Sequence, residues 1–228
     1  MVDFSLTATS PLGGFSREFD GIQLDEVTGR AIVSIATPLD GDRGLDKALS
    51  SALGTSIPDV GSAAASGTTH LLRLAPDQSF VIFDMPQDTP VAHMAGLLGD
   101  AGYYTDQSDS WAILSVKGTS ARTALERICP LDLYDEAFPI GMVARTNMEH
   151  LAVIILRDGP DSFLMMSPTS SAASFCHAVE TSCRNTLPLP WSEKHPSIGR
   201  KYSSSEQALH PKHQAGNTRH DSNTHRRQ

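Results

Sequence analysis

Cysteine is scarce in this chain of 228 residues, and its three copies fit no metal-binding spacing. Cys129, Cys176 and Cys183 include no Cys-x-x-Cys pair, and an odd number argues against a disulfide framework or a zinc site. Cys176 is followed by His177, but neighbouring side chains on a helix point about 100° apart. We therefore expect Cys176 to be a half-buried structural cysteine rather than part of a catalytic Cys–His pair.

Long hydrophobic runs are missing as well. No stretch approaches the roughly 20 apolar residues that cross a bilayer, and the N-terminus lacks a charged segment followed by an apolar one, as a secretory signal would have. We therefore expect a cytoplasmic protein that has no membrane partner.

Positive charge is in the minority: 18 Lys and Arg stand against 26 Asp and Glu, a net charge of −8. Residues 192–228 hold seven Lys/Arg and three Asp/Glu, so they carry +4 and residues 1–191 carry −12. An acidic body argues against nucleic acid as the main partner. Because residues 192–228 offer little apolar surface to bury, we expect them to form a disordered basic tail.

Motifs for common chemistry are also absent. The sequence has no G-x-G-x-x-G or G-x-x-x-x-G-K-[ST] phosphate loop and no G-x-S-x-G nucleophile turn. Asp132, with Asp135 and Glu136 nearby, is the best candidate for paired carboxylates, but a role in capping or turning the backbone explains it better. His70 and His93 fit core or surface positions better than ligand positions. We therefore predict no catalytic, cofactor-binding or metal-binding residue in this chain.

What the sequence does contain is a series of short strands and helices that occurs twice. After an N-terminal extended, loop-like segment (residues 1–30), we expect strands at 31–36, 71–74 and 80–83, helices at 45–53 and 91–98, a flexible connection at 56–69 and a short strand from Tyr103. In the second half we expect strands at 111–116, 142–146, 151–157 and 162–166 and helices at 120–128 and 172–181.

Short sequence matches support a duplication. Residues 31–35 (AIVSI) match 112–116 (AILSV), and the Pro-Asp turn at Pro76 matches that at Pro160, at offsets of 81 and 84. The alternative is two modules that share only turn chemistry. We predict an α+β fold of two duplicated ferredoxin-like βαββα(β) halves, residues 31–107 and 108–185, that bury a joint core.

The most distinctive stretch, residues 111–139, joins a strand and a helix to a compact apolar loop. Gly118 follows the strand, Thr119 or Ser120 is the expected N-cap, and Pro130 ends the helix. The loop is more apolar than an ordinary solvated connection, and such clusters mark either core or an interface. Our candidate partner-interface residues are Leu131, Leu133, Tyr134, Phe138 and Pro139. A core position is favoured for Leu131 and Leu133, and Phe138 is open between the two.

This stretch resembles the gamma subunit family of heterotetrameric sarcosine oxidases. The family pattern is G-[ST/P]-x-A-R-x-x-L, then C-P-L-D-L-x-x-x-x-F-P, then G-x-x-A-[QR]-T. The matching residues are Gly118, Ala121, Arg122, Leu125, Cys129, Pro130, Leu131, Asp132, Leu133, Phe138, Pro139, Gly141, Ala144 and Thr146. The resemblance covers roughly residues 8–185.

The resemblance implies a subunit of a larger machine and an aminomethyltransferase-like fold. In such a complex the alpha and beta subunits carry FAD, FMN, NAD and folate, and the delta subunit carries zinc. The gamma subunit has no cofactor and packs on the alpha subunit. The reaction is the oxidative demethylation of sarcosine to glycine, with hydrogen peroxide as a product and tetrahydrofolate as the one-carbon acceptor. The alternative is a stand-alone aminomethyltransferase-like folate-binding protein.

Overall fold

The computed structural model describes residues 9–87 and 89–186, and the predicted tail lies outside them. The strands are β1 (Ser16–Phe19), β2 (Ile22–Glu26), β3 (Arg30–Ala36), β4 (Ala63–Ser66), β5 (Thr69–Ala75), β6 (Gln78–Asp84), β7 (Tyr103–Asp106), β8 (Trp111–Lys117), β9 (Val143–Met148), β10 (Leu151–Gly159) and β11 (Ser162–Pro168). The helices are α1 (Asp42–Leu53), α2 (Pro90–Leu98), α3 (Ala121–Glu126) and α4 (Ala172–Thr186). Among the described helices, none is both long and apolar enough to cross a membrane.

The described strands form two antiparallel sheets that share one strand order. The first sheet runs β4-β5-β6-β3-β7, and the second, listed from the corresponding edge, runs β9-β10-β11-β8-β2-β1. The first five strands of the second sheet correspond in order to those of the first, and β1 is an additional edge strand. In each sheet the strand before the first helix, β3 or β8, lies between the strand before the second helix and one further antiparallel strand. Each half therefore reads β-α-β-β-β-α with the same pairing.

The two sheets pack face to face, with helices on both outer faces. Val33 and Ile35 point outward and pack with Leu45 and Leu49 of α1, whereas Ile32 points inward to the layer between the sheets. In the second half, Ile113 of β8 points to the same layer and belongs to the same inter-sheet cluster. Covering both faces explains why the central strands are buried along nearly their whole length and do not alternate with polar residues.

The predicted strands and helices are confirmed in both halves, with shifted ends. The helix predicted at 120–128 ends at Glu126, and that predicted at 172–181 extends to Thr186. The loop prediction for residues 1–30 is wrong at residues 16–26, where β1 and β2 form a hairpin whose second strand pairs with β8. Residues 1–8 of that prediction lie outside the described residues. The flexible connection predicted at 56–69 also contains β4, which supplies the third strand between the helices of the first half.

The edges of the two sheets are joined by a reciprocal pair of hydrogen bonds. The N–H of Ala63 donates to the carbonyl of Gly141 (2.6 Å), and the N–H of Val143 donates to the carbonyl of Gly61 (2.9 Å). Between these bonds lies a bridge that pairs Ser62 with Met142. The two halves are thus tied together by backbone contacts as well as by the apolar layer between them.

Candidate partner-binding surface

The distinctive stretch begins at Gly118, where β8 passes close to the β1–β2 turn. The φ of Gly118 is 120°, and a Cβ at this position would lie 2.2 Å from the carbonyl oxygen of Gly21. Only glycine fits such a close approach. Ser120 occupies the predicted N-cap position of α3, but its side chain makes no capping hydrogen bond.

The apolar loop after α3 is largely core. Leu133 and Phe138 are buried, with 0% and 2% of their surface exposed, and Leu131 packs against the same cluster. Leu133 therefore has the core position that the sequence favoured, and Phe138, which the sequence left open, is core as well. The Oδ1 of Asp132 accepts the N–H of Tyr134 (3.0 Å), which confirms the backbone-turn interpretation of this carboxylate.

Arg157, which was not predicted from the sequence, holds this loop against β10 and β11. Its guanidinium donates to the carbonyls of Phe138 (3.0 Å), Gly159 (3.2 Å) and Pro160 (2.6 Å) and lies 2.9 Å from Asp135 Oδ1. Only 4% of the Arg157 side chain is exposed. Its guanidinium supplies hydrogen-bond donors to carbonyl oxygens that would otherwise be buried without a partner. The signal that could have found it is the spacing Arg157-x-x-Pro160, which recurs as Arg73-x-x-Pro76.

The buried carboxylate of Glu26 was missed as well. Its Oε1 accepts the N–H of Leu12 (2.9 Å), and its Oε2 accepts the Ser10 hydroxyl (2.9 Å) and the N–H of Gly14 (2.7 Å). Glu26 therefore fixes the N-terminal turn on the second sheet.

The exposed members of the predicted interface lie at the rim of the loop. Tyr134 is 55% exposed and Pro139 is also exposed. The neighbouring Ile140, which was not among the predicted residues, is 59% exposed. The guanidinium of Arg122 lies 4.0 Å from the centre of the Tyr134 ring, which holds that ring in place. For Tyr134 and Pro139 the interface role stays a prediction.

A groove adjoins this loop on the side of α4. It has two contiguous parts, of about 360 and 540 Å³. Residues 127–130, where the chain leaves α3, form one wall. The turn between β9 and β10 forms the second wall, and the exposed side of α4 forms the third. The lining residues are Arg127, Ile128, Cys129, Pro130, Asn147, Glu149, His150, His177, Ala178, Thr181, Ser182 and Asn185.

The turn that forms one wall of this groove has an unusual backbone. Glu149 and His150 are the two residues between β9 and β10, and their φ angles are 47° and 68°. Two-residue hairpin turns with positive φ at both positions favour Asn-Gly, and a side chain in this region costs about 1–2 kcal/mol per residue. The turn therefore holds two strained residues at the groove.

The cysteines are buried and poorly suited to nucleophilic chemistry. Burial, with a smaller contribution from Glu180, raises the pKa of Cys176 and of Cys183 to about 11. Burial also raises the pKa of Cys129. A nucleophilic cysteine needs a lowered pKa, so the raised values disfavour the thiolate form. Cys176 is fully buried rather than half-buried as expected.

The two histidines singled out in the sequence occupy structural positions. His93 stacks on Phe83, with ring centres 5.4 Å apart. Burial lowers the pKa of His70, Asp158 opposes that shift and Arg30 adds to it. Across residues 9–87 and 89–186, no three His, Cys, Asp or Glu side chains come close enough together to hold a metal ion.

Residues 40–183 match the sequence model of the sarcosine oxidase, gamma subunit family. The chain belongs to this family. The sarcosine oxidase subunit gamma of Arthrobacter sp. is 32% identical over 123 residues, which is 52% of this chain and 60% of the relative. That of Corynebacterium sp. strain P-1 is 29% identical over 132 residues, 57% of this chain and 65% of the relative. The chain thus spans about 60–65% of the length of these relatives.

Solved structures show the fold of this gamma subunit family member. A heterotetrameric sarcosine oxidase from Corynebacterium sp. U-96 gives a TM-score of 0.64 at 24% identity and covers 73% of this chain and 86% of the matched one. The aminomethyltransferase T of the glycine cleavage system from Bartonella henselae gives a TM-score of 0.56 at 16% identity and covers 75% and 56%. The resemblance stated from the sequence is confirmed for the family and the general fold.

Proposed function

We propose that this chain is the gamma subunit of a heterotetrameric sarcosine oxidase and that it acts in assembly rather than in the chemical step. The family match over residues 40–183 carries the proposal. The structural roles of the most family-specific residues support the assembly role, because Leu133 and Phe138 are core and Asp132 accepts a backbone hydrogen bond in a turn. These residues stabilise the loop rather than form a reaction site.

In this proposal the alpha subunit is the direct partner, with the beta and delta subunits elsewhere in the complex. FAD, FMN, NAD, folate and zinc belong to the partners, and this chain holds none of them. The complex demethylates sarcosine to glycine in the cytoplasm, releases hydrogen peroxide and passes the one-carbon unit to tetrahydrofolate. The free thiols of Cys129, Cys176 and Cys183 support a reducing compartment.

Co-expression tests the proposal. The tagged full chain is produced with the alpha, beta and delta subunits of the same organism, and each subunit in the purified material is quantified. We expect one copy of this chain per alpha subunit, and a lower yield of intact complex and of sarcosine-dependent peroxide formation when the chain is omitted. Full assembly and full activity without it would contradict the assembly role.

The fold also supports a second candidate, a folate-binding protein that acts alone. The TM-score of 0.56 with an aminomethyltransferase is the observation that favours it. Calorimetric titration of the isolated chain with tetrahydrofolate separates the two functions. Stoichiometric binding to the chain alone would favour the second candidate, whereas the proposed gamma subunit role predicts no binding without partners.

We also infer that the two halves are copies of one ferredoxin-like unit. Apart from the edge strand β4, the first sheet has the order β5-β6-β3-β7, and its helices follow β3 and β6, as that unit requires. In the second half the N-terminal strand β2 takes the place of β7. Matching backbone contacts support the inference: Thr37 donates to the carbonyl of Asp77, and Gly118 to that of Asp161, both at 2.8 Å.

A further inference from the structure

The groove beside the apolar loop differs in charge from the rest of the body. Residues 1–191 carry a net −12, but the groove lining holds one guanidinium, Arg127, against one carboxylate, Glu149, and its nitrogen-containing side chains can donate hydrogen bonds. These donors are the guanidinium of Arg127, the imidazoles of His150 and His177, and the amides of Asn147 and Asn185. An acceptor-rich ligand therefore meets less repulsion here than elsewhere on the acidic body.

Arg127 is the cation of this groove. Its neighbour Arg122 pairs with Glu126 at 3.9 Å and lies over Tyr134, and Arg184 on α4 pairs with Glu180. Within residues 9–87 and 89–186, by contrast, Arg127 has no ion pair or side-chain hydrogen bond. An arginine binds a carboxylate with two parallel hydrogen bonds, so Arg127 is available for a carboxylate from another chain.

The β9–β10 turn gives a second, independent indication. Glu149 and His150 keep positive φ angles where Asn-Gly fits without strain, so the chain gives up stability to place two charged or titratable side chains at the groove. Strained positions of this kind cluster at binding sites. The groove is also continuous with Cys129 and Pro130, which belong to the most specific part of the family pattern.

From these observations we propose that the groove between residues 127–130, the β9–β10 turn and α4 receives an acidic segment of a partner subunit. Arg127 binds a carboxylate of that segment, and His150 and Asn185 donate further hydrogen bonds. The inference rests on the proposed function, because it takes the partner from the sarcosine oxidase complex.

The test uses the co-expressed four-subunit complex with a tag on this chain. Arg127→Glu is expected to lower the recovery of the partner subunits at least tenfold and to leave the melting temperature of the purified chain unchanged. Arg43→Glu is the matched control, since Arg43 is exposed in the first turn of α1 in the other half, and it should change neither quantity.

Two variants of the strained turn give responses of opposite sign. His150→Gly should raise the melting temperature, because glycine accepts positive φ, and should still lower partner recovery because a donor is lost. Glu149→Gln should raise partner recovery in low-salt washes, where charge repulsion is least screened, because it removes the one carboxylate that opposes an acidic segment.

The outcomes separate the two proposals. If the unmodified chain recovers no partner subunit, the proposed function fails and the groove assignment fails with it. If it recovers the partners and Arg127→Glu does so equally well, the groove assignment alone is wrong. Loss of recovery in both Arg127→Glu and Glu149→Gln would overturn the acidic partner. Self-association of the isolated chain that Arg127→Glu abolishes would assign the groove to a second copy instead.

Discussion

Arg73 and Arg157 occupy the same position in the two halves of the molecule. Each lies at a β-bulge near the end of its strand, and each donates to the carbonyl of the proline three residues later, Pro76 or Pro160, at 2.6 Å. Arg73 is 18% exposed and reaches Asp42, whereas Arg157 is 4% exposed and also binds the carbonyl of Phe138.

The difference arises in the connection between the first two strands of each half. The first half uses the 12-residue helix α1, and the second half uses the 6-residue helix α3 followed by the packed apolar loop. The loop covers Arg157, lines the groove and exposes Tyr134. The same scaffold therefore carries an ordinary helix on one side and the candidate partner surface on the other.

A second difference lies where each first strand ends. Thr37 and Gly118 make the same backbone hydrogen bond, but the β1–β2 turn closes only over Gly118. Because of the N-terminal hairpin, position 118 in the second half requires glycine, whereas the matching position in the first half is Thr37.

The largest expected effect concerns the loop itself. Phe138→Ala should lower the free energy of unfolding of the isolated chain by about 3–5 kcal/mol, as truncation of a buried aromatic residue does. Tyr134→Ala, which loses a partly exposed ring and its contact with Arg122, should cost about 0.5–1 kcal/mol. Urea denaturation of both variants measures the difference. Equal losses would mean that the loop is not core.

Gly118→Ala tests the hairpin contact. We expect a loss of about 3 kcal/mol, because overpacking costs about 1–3 kcal/mol and a side chain at positive φ adds strain. Thr37→Ala at the matching position should be nearly neutral. If thermal unfolding shows the two variants to be equally stable, the β1–β2 turn does not close over Gly118 in solution.

The two arginines give a direct comparison between the halves. Arg157→Met should cost about 2–3 kcal/mol, because it leaves buried carbonyls without donors. Arg73→Met should cost about 1 kcal/mol, because water replaces its contacts more easily. Denaturant midpoints of the two variants, with unchanged slopes, provide the measurement, and a larger loss for Arg73 would reverse our interpretation.

The smallest effect is a pH dependence that belongs to the first half. Burial lowers the pKa of His70 from its ordinary value of 6.5, so the unfolded chain binds the proton more readily than the folded one. Stability should therefore be complete above pH 6.5 and decrease as the pH falls below it. His70→Gln should flatten this decrease relative to the unmodified chain, and identical pH profiles would exclude the contribution.

Much of the fold could be predicted from local pattern. The apolar runs at 31–36 and 111–116 predicted β3 and β8, and three- and four-residue spacing predicted α1. The β1–β2 hairpin was missed because its strands are short and largely polar, and β4 was missed because it reads Ala-Ala-Ala-Ser. Such strands form through pairing with a neighbour rather than through their own propensity.

The candidate surface was predicted in part. The loop at 129–139 was identified as unusual, but its residues could not be divided between core and surface. Arg157 was missed because its most distant carbonyl partner, that of Phe138, lies 19 residues away along the chain. The groove joins three elements that are remote in sequence, and no local spacing predicts such a site.

By itself the sequence determined the two series of strands and helices, the position of the apolar loop and the membership of the gamma subunit family. The tertiary structure decided that Phe138 is core while Tyr134 is exposed, that Arg157 satisfies the loop carbonyls, and that Arg127 lies in a groove. The reason is physical. Secondary structure follows from the spacing of apolar residues along the chain, whereas burial and pairing depend on what packs against each side chain from a distant element.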